Sequence, residues 1–171
     1  MSAIRVRRAA PHDQAALGRF GADLMRLHHK SDSRRFISTP NPEEGYGRFL
    51  VSQLSDPDSL VMVAEGEDVV GYIFATIEDT SWMDLRGPCG YIHDIYVQED
   101  IRRRGAGAAL LLAAIDWIHS RNRRQVVLMT KSGNHAARRL FERTGFRVTM
   151  HEMMLEGESP REDPTVRSKG I

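Results

Sequence analysis

A run of arginines and glycines stands directly before the longest apolar stretch of the chain. The run comprises Arg102, Arg103, Arg104, Gly105, Ala106 and Gly107. Glycine lets a backbone come close to a ligand, and the free N–H groups and dipole of a helix start favour an anion. The run therefore predicts a phosphate-binding turn at the start of a helix that extends from about Gly105 to Arg121.

His93 and Asp94 lie in the segment that precedes this turn. Residues 91–97 are rich in β-branched and aromatic side chains, which predicts a strand. An imidazole or a carboxylate in this position is able to act as a general base. Glu78, at the end of the preceding predicted strand, is a third candidate. Structural roles stay open as alternatives, with His93 partly exposed and Asp94 serving as a cap or as the partner of an arginine.

The turn departs from two common phosphate-binding patterns. Gly107 is followed by Ala108, where a P-loop has Lys and then Ser or Thr. Leu110 stands where a dinucleotide-binding fingerprint has its third small residue. The pattern that fits is Arg-x-x-Gly-x-Gly, from Arg102 to Gly107, and it is accompanied by a second element downstream.

The second element is residues 134–146, with the pattern Asn-x-x-Ala-x-x-hydrophobic-Phe-Glu-basic-x-Gly-Phe. Its apolar positions recur on one face of a helix, and Gly145 is a natural helix stop. The two elements, in this order, resemble those of the GCN5-related N-acetyltransferase (GNAT) family. The resemblance covers roughly residues 4–156.

The predicted elements follow the order βααβββαβαβ, which the GNAT family shares. This order predicts an α/β fold with a mixed central sheet, and the resemblance implies a splay between the two central strands. The last strand is expected from about Arg147 to Leu155. We expect one acetyltransferase domain over residues 1–156 and a polar, disordered tail over residues 157–171, which has two prolines and hardly an apolar anchor.

The resemblance implies acetyl-coenzyme A (acetyl-CoA) as the co-substrate. Carried over by position, its pantetheine arm would bond to main-chain groups of Ile95 and Val97, with Tyr96 between them. The diphosphate would lie against the turn from Arg102 to Gly107, extending to Ala108. Three downstream residues would flank the outgoing arm: Asn134, Ala137 and Phe141.

The resemblance also implies that an amine attacks the thioester directly. Many relatives protonate the leaving thiolate with a tyrosine, but this chain has Phe141 at that position, so a water or Tyr96 would substitute. Residues 91–97 are similar to the corresponding strand of the polyamine and thialysine acetyltransferase branch, where an acidic pair binds or deprotonates the amine. We therefore expect Asp94, His93, Glu78 and Tyr96 to be the catalytic residues.

Composition narrows the class of protein. One cysteine, Cys89, excludes an intramolecular disulfide and fits a reducing cytoplasm. The 171 residues show neither a signal peptide nor an apolar run that could span a bilayer, so no membrane partner is expected. The adjacent pair His28 and His29 has no partner at ligand spacing, so no metal is expected, and the pair could instead line the substrate entrance.

The charges divide unevenly along the chain. Residues 1–100 carry 10 Lys and Arg against 16 Asp and Glu, while residues 101–171 carry 14 against 7. A basic half suits an anionic cofactor, and an acidic half suits a cationic amine, although scatter over a solvated surface is the alternative. The chain is thus expected to acetylate a small amine, with a peptide amine or a non-catalytic acyl-CoA-binding module as alternatives. No nucleic acid is expected, and a homodimer is a family-based expectation.

Overall fold

A computed structural model describes residues 4–157 of the chain, which form two compact units divided after Asn134. The first unit contains a five-stranded sheet in the order β1-β2-β3-β4-β5. The first four strands pair antiparallel in succession, and β5 joins β4 in parallel. The strands are β1 (Arg5–Arg8), β2 (Ser59–Glu65), β3 (Val69–Glu78), β4 (Cys89–Val97) and β5 (Val126–Leu128).

Helices lie on both faces of this mixed sheet. In the first unit they are α1 (Gln14–Ser31), α2 (Pro42–Ser52) and α3 (Ala106–Ser120). Phe20 of α1 and Leu50 of α2 share a buried cluster with Tyr72 of β3, so α1 and α2 cover one face. On the other face α3 approaches β4 so closely that a side chain at Gly90 would overlap Ile118. Within the described residues, no helix has the length and apolarity needed to cross a membrane.

An ion network fastens the first strand to the start of α1. Arg7 of β1 contacts Asp13 through two hydrogen bonds, of 2.7 and 2.9 Å, and contacts Glu65 of β2 through two more, of 3.0 and 2.7 Å. The backbone N–H of Ala10 also donates to Asp13, at 2.8 Å. Asp13 is only 4% exposed, and its hydrogen bonds to Arg7 hold the pKa of the carboxyl below its usual value. The carboxylate is therefore charged, buried and fully paired.

A β-bulge interrupts the pairing of the two longest strands. Phe74 of β3 pairs with Asp94, while the next residue, Ala75, pairs with Ile92. His93 is therefore the extra residue on β4. A bulge bends its strand and re-aims the side chains beside it. Here it brings both His93 and Asp94 to the face of the sheet that carries α1 and α2, as their contacts below demonstrate.

Strand β4 parts from β5 soon after the two begin to pair. The parallel register covers only Gly90, Tyr91 and Ile92 of β4. Residues 93–97 continue without a β5 partner, so a gap opens beyond Ile92. This gap is the splay expected from the resemblance, and it begins at the bulged residue, His93.

The second unit contains α4 (His135–Arg143), which ends where the sequence predicts. Gly145 follows it with a φ of 102°, in the left-handed region that glycine favours at helix ends. The predicted final strand from about Arg147 to Leu155 is wrong, because the described residues after α4 form no strand. Apolar and polar residues alternate in this segment as in a strand, yet Met150 and Met153 are 77% and 92% exposed. A strand needs a hydrogen-bonded partner, which local sequence does not supply.

The α/β fold class and the mixed sheet are confirmed. The observed order of elements over the described residues is βααβββαβα, which differs from the expected order by that last strand. Residues 158–171, which hold nearly all of the predicted disordered tail, lie outside the described residues. The expected domain boundaries therefore stay a prediction.

Candidate active site

The start of α3 presents unpaired backbone donors. The first bond into the helix runs from the N–H of Ala109 to the carbonyl of Gly105, at 2.9 Å. The N–H groups of Ala106, Gly107 and Ala108 consequently have no partner within the helix. Gly105 has a φ of 88°, and a side chain placed there would meet no protein atom within 4 Å. The helix start is thus an open cradle of N–H groups, which suits a phosphate.

Two arginines of the turn differ in what they contact. The Arg102 Nε–H donates to the carbonyl oxygen of Val97 at 2.9 Å, and its guanidinium lies 5.7 Å from the ring centre of Tyr96. Arg103 is exposed and has a φ of 67°, an unusual left-handed conformation for a residue with a side chain. The turn therefore has one arginine bound to the end of β4 and one that projects from a tightly wound backbone.

The free edge of β4 exposes main-chain groups to the splay. The N–H of Gln98 donates to Val70 of β3 at 2.9 Å, and bonds across an antiparallel pair use alternate residues. Tyr96 therefore bonds towards β3, while the N–H and carbonyl groups of Ile95 and Val97 point away from it, and the carbonyl of Val97 already accepts the bond from Arg102. These are the groups predicted to bond the pantetheine arm. Together with the N–H groups of α3, they fit acetyl-CoA.

His93 is held between two aromatic rings. Its imidazole stacks on Phe74 at 5.0 Å and on Tyr91 at 4.7 Å between ring centres. Nε2 lies 2.8 Å from the hydroxyl oxygen of Thr76 and 3.7 Å from a carboxylate oxygen of Glu78. Burial lowers the pKa of His93 below its usual 6.5, although the charge of Glu78 acts in the opposite direction. The imidazole is therefore neutral at pH 7.

Glu78 indicates which nitrogen of His93 carries the proton. The Thr76 hydroxyl is 3.4 Å from Glu78, whose carboxylate can only accept a hydrogen bond. If Thr76 donates its single hydrogen to Glu78, the Nε2–H of His93 donates to Thr76. Nδ1 then has the lone pair, and no hydrogen bond occupies it within the described part of the chain. A neutral imidazole with a free lone pair is a competent general base.

Asp94 lies beside His93 but in a more buried environment. Its carboxylate accepts a hydrogen bond from the Tyr72 hydroxyl at 3.0 Å. Burial raises the pKa of Asp94 above 3.8, while the Tyr72 bond and the charge of His28 oppose that shift. The charge of this carboxylate also acts on Tyr46 of α2, because burial and Asp94 together raise the pKa of Tyr46 to about 12. Asp94 is thus a buried, hydrogen-bonded acid at the base of the site.

Glu78 is neutralised by an arginine. Arg86 donates to its second carboxylate oxygen at 2.5 Å, also contacts the sulfur of Cys89, and lies 5.6 Å from the ring centre of Tyr91. Cys89 is fully buried, and burial raises the pKa of its thiol. Glu78 therefore orients Thr76 and His93 as one member of a network, and it does not present a free carboxylate.

Tyr96 lines a cavity at the far end of β4. The cavity has a volume of about 310 Å³ and is lined by Asp23, Arg26, Leu27, Lys30, Tyr96, Glu99 and Arg102. The ring of Tyr96 stacks on Phe20 at 5.4 Å. Burial raises the pKa of Tyr96 above 10, and the nearby Asp23 adds to that shift. The phenol therefore keeps its proton at neutral pH.

The two adjacent histidines of α1 bond to different carbonyls. Nδ1 of His28 lies 2.8 Å from the carbonyl oxygen of Leu24, and Nδ1 of His29 lies 2.8 Å from that of Phe36. A carbonyl only accepts, so both Nδ1 atoms carry hydrogen. His28 also packs edge-on against the ring of Phe36, at 4.7 Å. Among the described residues, no group of three or more His, Cys, Asp or Glu side chains could hold a metal ion.

The predicted residues downstream of the sheet stay predictions. Asn134 is the last residue of the first unit, and its N–H donates to Lys131 at 2.9 Å. Ala137 and Phe141 lie on α4 in the second unit, where Phe141 is buried and packs 6.0 Å from the ring of Phe146. Phe141 has no hydroxyl, as the sequence states.

Three site residues were missed by the sequence analysis. Tyr72, Phe74 and Thr76 alternate along β3 and so share the face that carries Glu78. The period-two spacing that ends at Glu78 could have identified them. The sequence could not show that these residues lie across from His93 and Asp94 in the sheet, because the bulge shifts the pairing register by one residue.

Comparison with known proteins agrees with this architecture. A profile of the acetyltransferase (GNAT) family matches residues 23–146. The uncharacterized N-acetyltransferase YhfO of Bacillus subtilis (strain 168) is 26% identical over 146 residues, which cover 84% of this chain and 89% of YhfO.

Two solved structures share the fold. A mutant of the BH1408 protein from Bacillus halodurans has a TM-score of 0.77 at 21% identity, covering 89% of this chain and 98% of that one. A predicted acetyltransferase with acetyl-CoA from Clostridium acetobutylicum has a TM-score of 0.68 at 16% identity, covering 90% and 96%. Acetyl-CoA is the co-substrate of this fold family, and the free edge of β4 and the start of α3 fit it. The chain belongs to the acetyltransferase (GNAT) family.

Proposed function

We propose that the chain transfers an acetyl group from acetyl-CoA to the primary amine of a small cationic molecule, by direct attack in a ternary complex. The observation that carries the proposal is the bulge at His93. It supports a general base at the point where β4 leaves β5, beside main-chain groups suited to the pantetheine arm.

In the proposed reaction, Nδ1 of His93 takes a proton from the substrate ammonium, directly or through water. The amine nitrogen then forms a bond to the acetyl carbon, backbone N–H groups stabilise the oxyanion, and the carbon–sulfur bond breaks. The departing thiolate takes a proton from Tyr96, which keeps its phenolic hydrogen at neutral pH. The phenolate so formed regains a proton, through water, from the nitrogen of the new amide, which must lose its second N–H proton as the carbon–sulfur bond breaks. The charge of Glu78 stabilises the imidazolium, and Glu78 orients His93 through Thr76. Asp94 is the second candidate for the base.

We propose that the turn and the edge of β4 hold acetyl-CoA. The N–H groups of Ala106, Gly107 and Ala108 would bind the diphosphate, with Arg102, Arg103 and Arg104 supplying positive charge. Ile95 and Val97 would bond the pantetheine arm through main chain. Asn134, Ala137 and Phe141 would flank the remainder of the cofactor.

The charge pattern supports a cationic acceptor, because residues 1–100 have a net charge of −6 and residues 101–171 of +7. A peptide amine is the second candidate acceptor, favoured by the loop after β3, where Trp82, Met83 and Leu85 are each more than 80% exposed.

A non-catalytic acyl-CoA-binding module is the third candidate function, favoured by the absence of a hydroxyl at Phe141. A cytoplasmic location and a homodimer remain part of the proposal, motivated by the single buried Cys89 and by the family.

The deciding experiment measures release of free thiol from acetyl-CoA in the presence of a panel of amines, with mass spectrometry of the products. The proposal expects thiol and N-acetyl product in equal amounts with at least one small amine. A peptide acetyltransferase would yield product only with peptides. Calorimetric binding of acetyl-CoA without thiol release from any amine or peptide would instead identify the binding module.

A further inference from the structure

Four rings form a continuous series beside the proposed base, which we call the aromatic ledge: Phe49, Phe74, His93 and Tyr91. Phe49 of α2 meets Phe74 of β3 edge-on, at 5.5 Å between centres. Phe74 stacks on His93 at 26° between ring planes, and His93 stacks on Tyr91 at 28°. The ledge therefore joins α2, β3 and β4 across the face that carries the bulge.

Part of the ledge is open to a ligand. Phe74 is 5% exposed, whereas Phe49 is 46% exposed and the His93 side chain 34%. A phenylalanine that is half exposed at the end of this ring series presents an apolar surface to a ligand that approaches His93. An amine that delivers its proton to His93 would bring its neighbouring carbon atoms against this surface.

The acidic groups near the ledge are already paired. Glu78 bonds to Arg86, and Asp94 is buried and accepts the Tyr72 hydroxyl. Asp84, an exposed residue whose charge acts on Tyr91, accepts a hydrogen bond from the Ser81 hydroxyl at 2.8 Å and lies 4.0 Å from Arg86. Among the described residues of the ledge and its immediate partners, no carboxylate without a partner is left to bind a second ammonium group. The surroundings of His93 thus suit an amine with one positive charge and a flat apolar group.

We propose that the acceptor is an arylalkyl monoamine whose ring packs on Phe49 and the exposed part of the ledge while its amino group reaches His93. This inference rests on the proposed function and names its substrate class. Aromatic rings attract one another in stacked or edge-on geometry beyond the gain from burying their surface. A substrate ring would extend the series that already runs through the protein.

The test compares 2-phenylethylamine, n-butylamine and spermidine as acceptors for the full-length chain with saturating acetyl-CoA. The ratio of kcat/KM for 2-phenylethylamine to that for n-butylamine is expected to be about 10 or more, with spermidine no better than n-butylamine. In Phe49→Ala that ratio should fall about fivefold or more. Leu112→Ala is the matched control, because Leu112 is 53% exposed on α3, across the sheet, and its ratio should equal that of the unaltered chain.

The outcomes separate the inference from the proposed function. Acetylation of n-butylamine or spermidine as fast as 2-phenylethylamine would overturn the inference and leave the acetyltransferase proposal standing. An aromatic preference that survives Phe49→Ala would also overturn it, as would a Phe49→Ala variant that changes only the oligomeric state in sedimentation equilibrium. Absence of product from every amine would contradict both the inferred substrate class and the proposed acetyltransferase activity.

Discussion

The Arg102 side chain bonds to the carbonyl oxygen of Val97, five residues earlier in the chain, at 2.9 Å. This bond links the turn that begins at Arg102 to the edge of β4. The guanidinium also lies over the ring of Tyr96, so the same side chain contacts the strand, its aromatic residue and the turn. The arginine that opens the sequence pattern therefore has a structural partner as well as a charge.

Replacing Arg102 by alanine is expected to weaken binding of acetyl-CoA about tenfold, or about 1.4 kcal/mol. The variant loses a positive charge near the diphosphate and the bond that orders the end of β4. Isothermal titration calorimetry measures the effect. Arg121→Ala is the matched control, since it removes the same charge at the opposite end of α3, where Arg121 bonds to Asp58. An equal loss of affinity in both variants would show that Arg102 contributes only to the net charge, and that its bond to Val97 has no effect on binding of acetyl-CoA.

Gly105→Ala is expected to lower both the stability of the fold and the affinity for acetyl-CoA. Its φ of 88° imposes a destabilisation of about 1 kcal/mol on any residue with a side chain, measurable by urea unfolding. The added carbon would also stand in the open cradle, so affinity for acetyl-CoA should fall by about tenfold or more. Gly145→Ala, with a φ of 102° and equally open surroundings, carries the same strain at another helix end. It should lose stability without a comparable loss of affinity.

The pH dependence of the reaction should report on His93. A general base works only when deprotonated, and burial lowers the pKa of His93 below 6.5. The kcat/KM should therefore stay high at neutral pH and decline only as the pH falls through that lowered pKa. His93→Gln should reduce kcat by about 100-fold or more and abolish this acidic limb.

Thr76 provides a finer test of the same site. Thr76→Val removes the hydroxyl that contacts Nε2 of His93, so both tautomers of the imidazole become accessible and kcat should fall several-fold. Thr76→Ser keeps the hydroxyl and should retain most of the activity.

In the pH experiment on His93, an acidic limb that is unchanged in His93→Gln would assign the titration to another group, with Asp94 as the next candidate.

Stability should depend strongly on the ion network of Arg7. Arg7→Ala leaves the buried carboxylate of Asp13 without its main partner and should lower the free energy of unfolding by about 3 kcal/mol. Because the pKa of Asp13 is lowered in the folded state, its contribution is present above pH 3.8 and is lost as the pH falls through the folded-state pKa. Chemical unfolding at pH 7 and pH 3 tests both statements. Arg48→Ala breaks an exposed pair with Glu44 and should cost less than about 0.5 kcal/mol.

The sequence alone determined the turn of arginines and glycines and the helix that follows it. Glycines and arginines before an apolar run are local signals, and Gly105 and Ala106 lie within one residue of the predicted boundary. The family followed from two such local elements in the right order. The strands of the sheet were also predictable up to β5, because alternation and turn residues are read within short windows.

Only the tertiary structure decided how the candidate catalytic groups are arranged. The sequence put His93 and Asp94 side by side, where an unbroken strand would point them to opposite faces. The bulge opposite Phe74 and Ala75 brings both to one face, with His93 between two rings and Asp94 beneath Tyr72. Register, strand partners and burial arise from contacts between distant segments. For the same reason the alternating segment after α4, which has a strand pattern, forms no strand within the part of the chain that the structure describes.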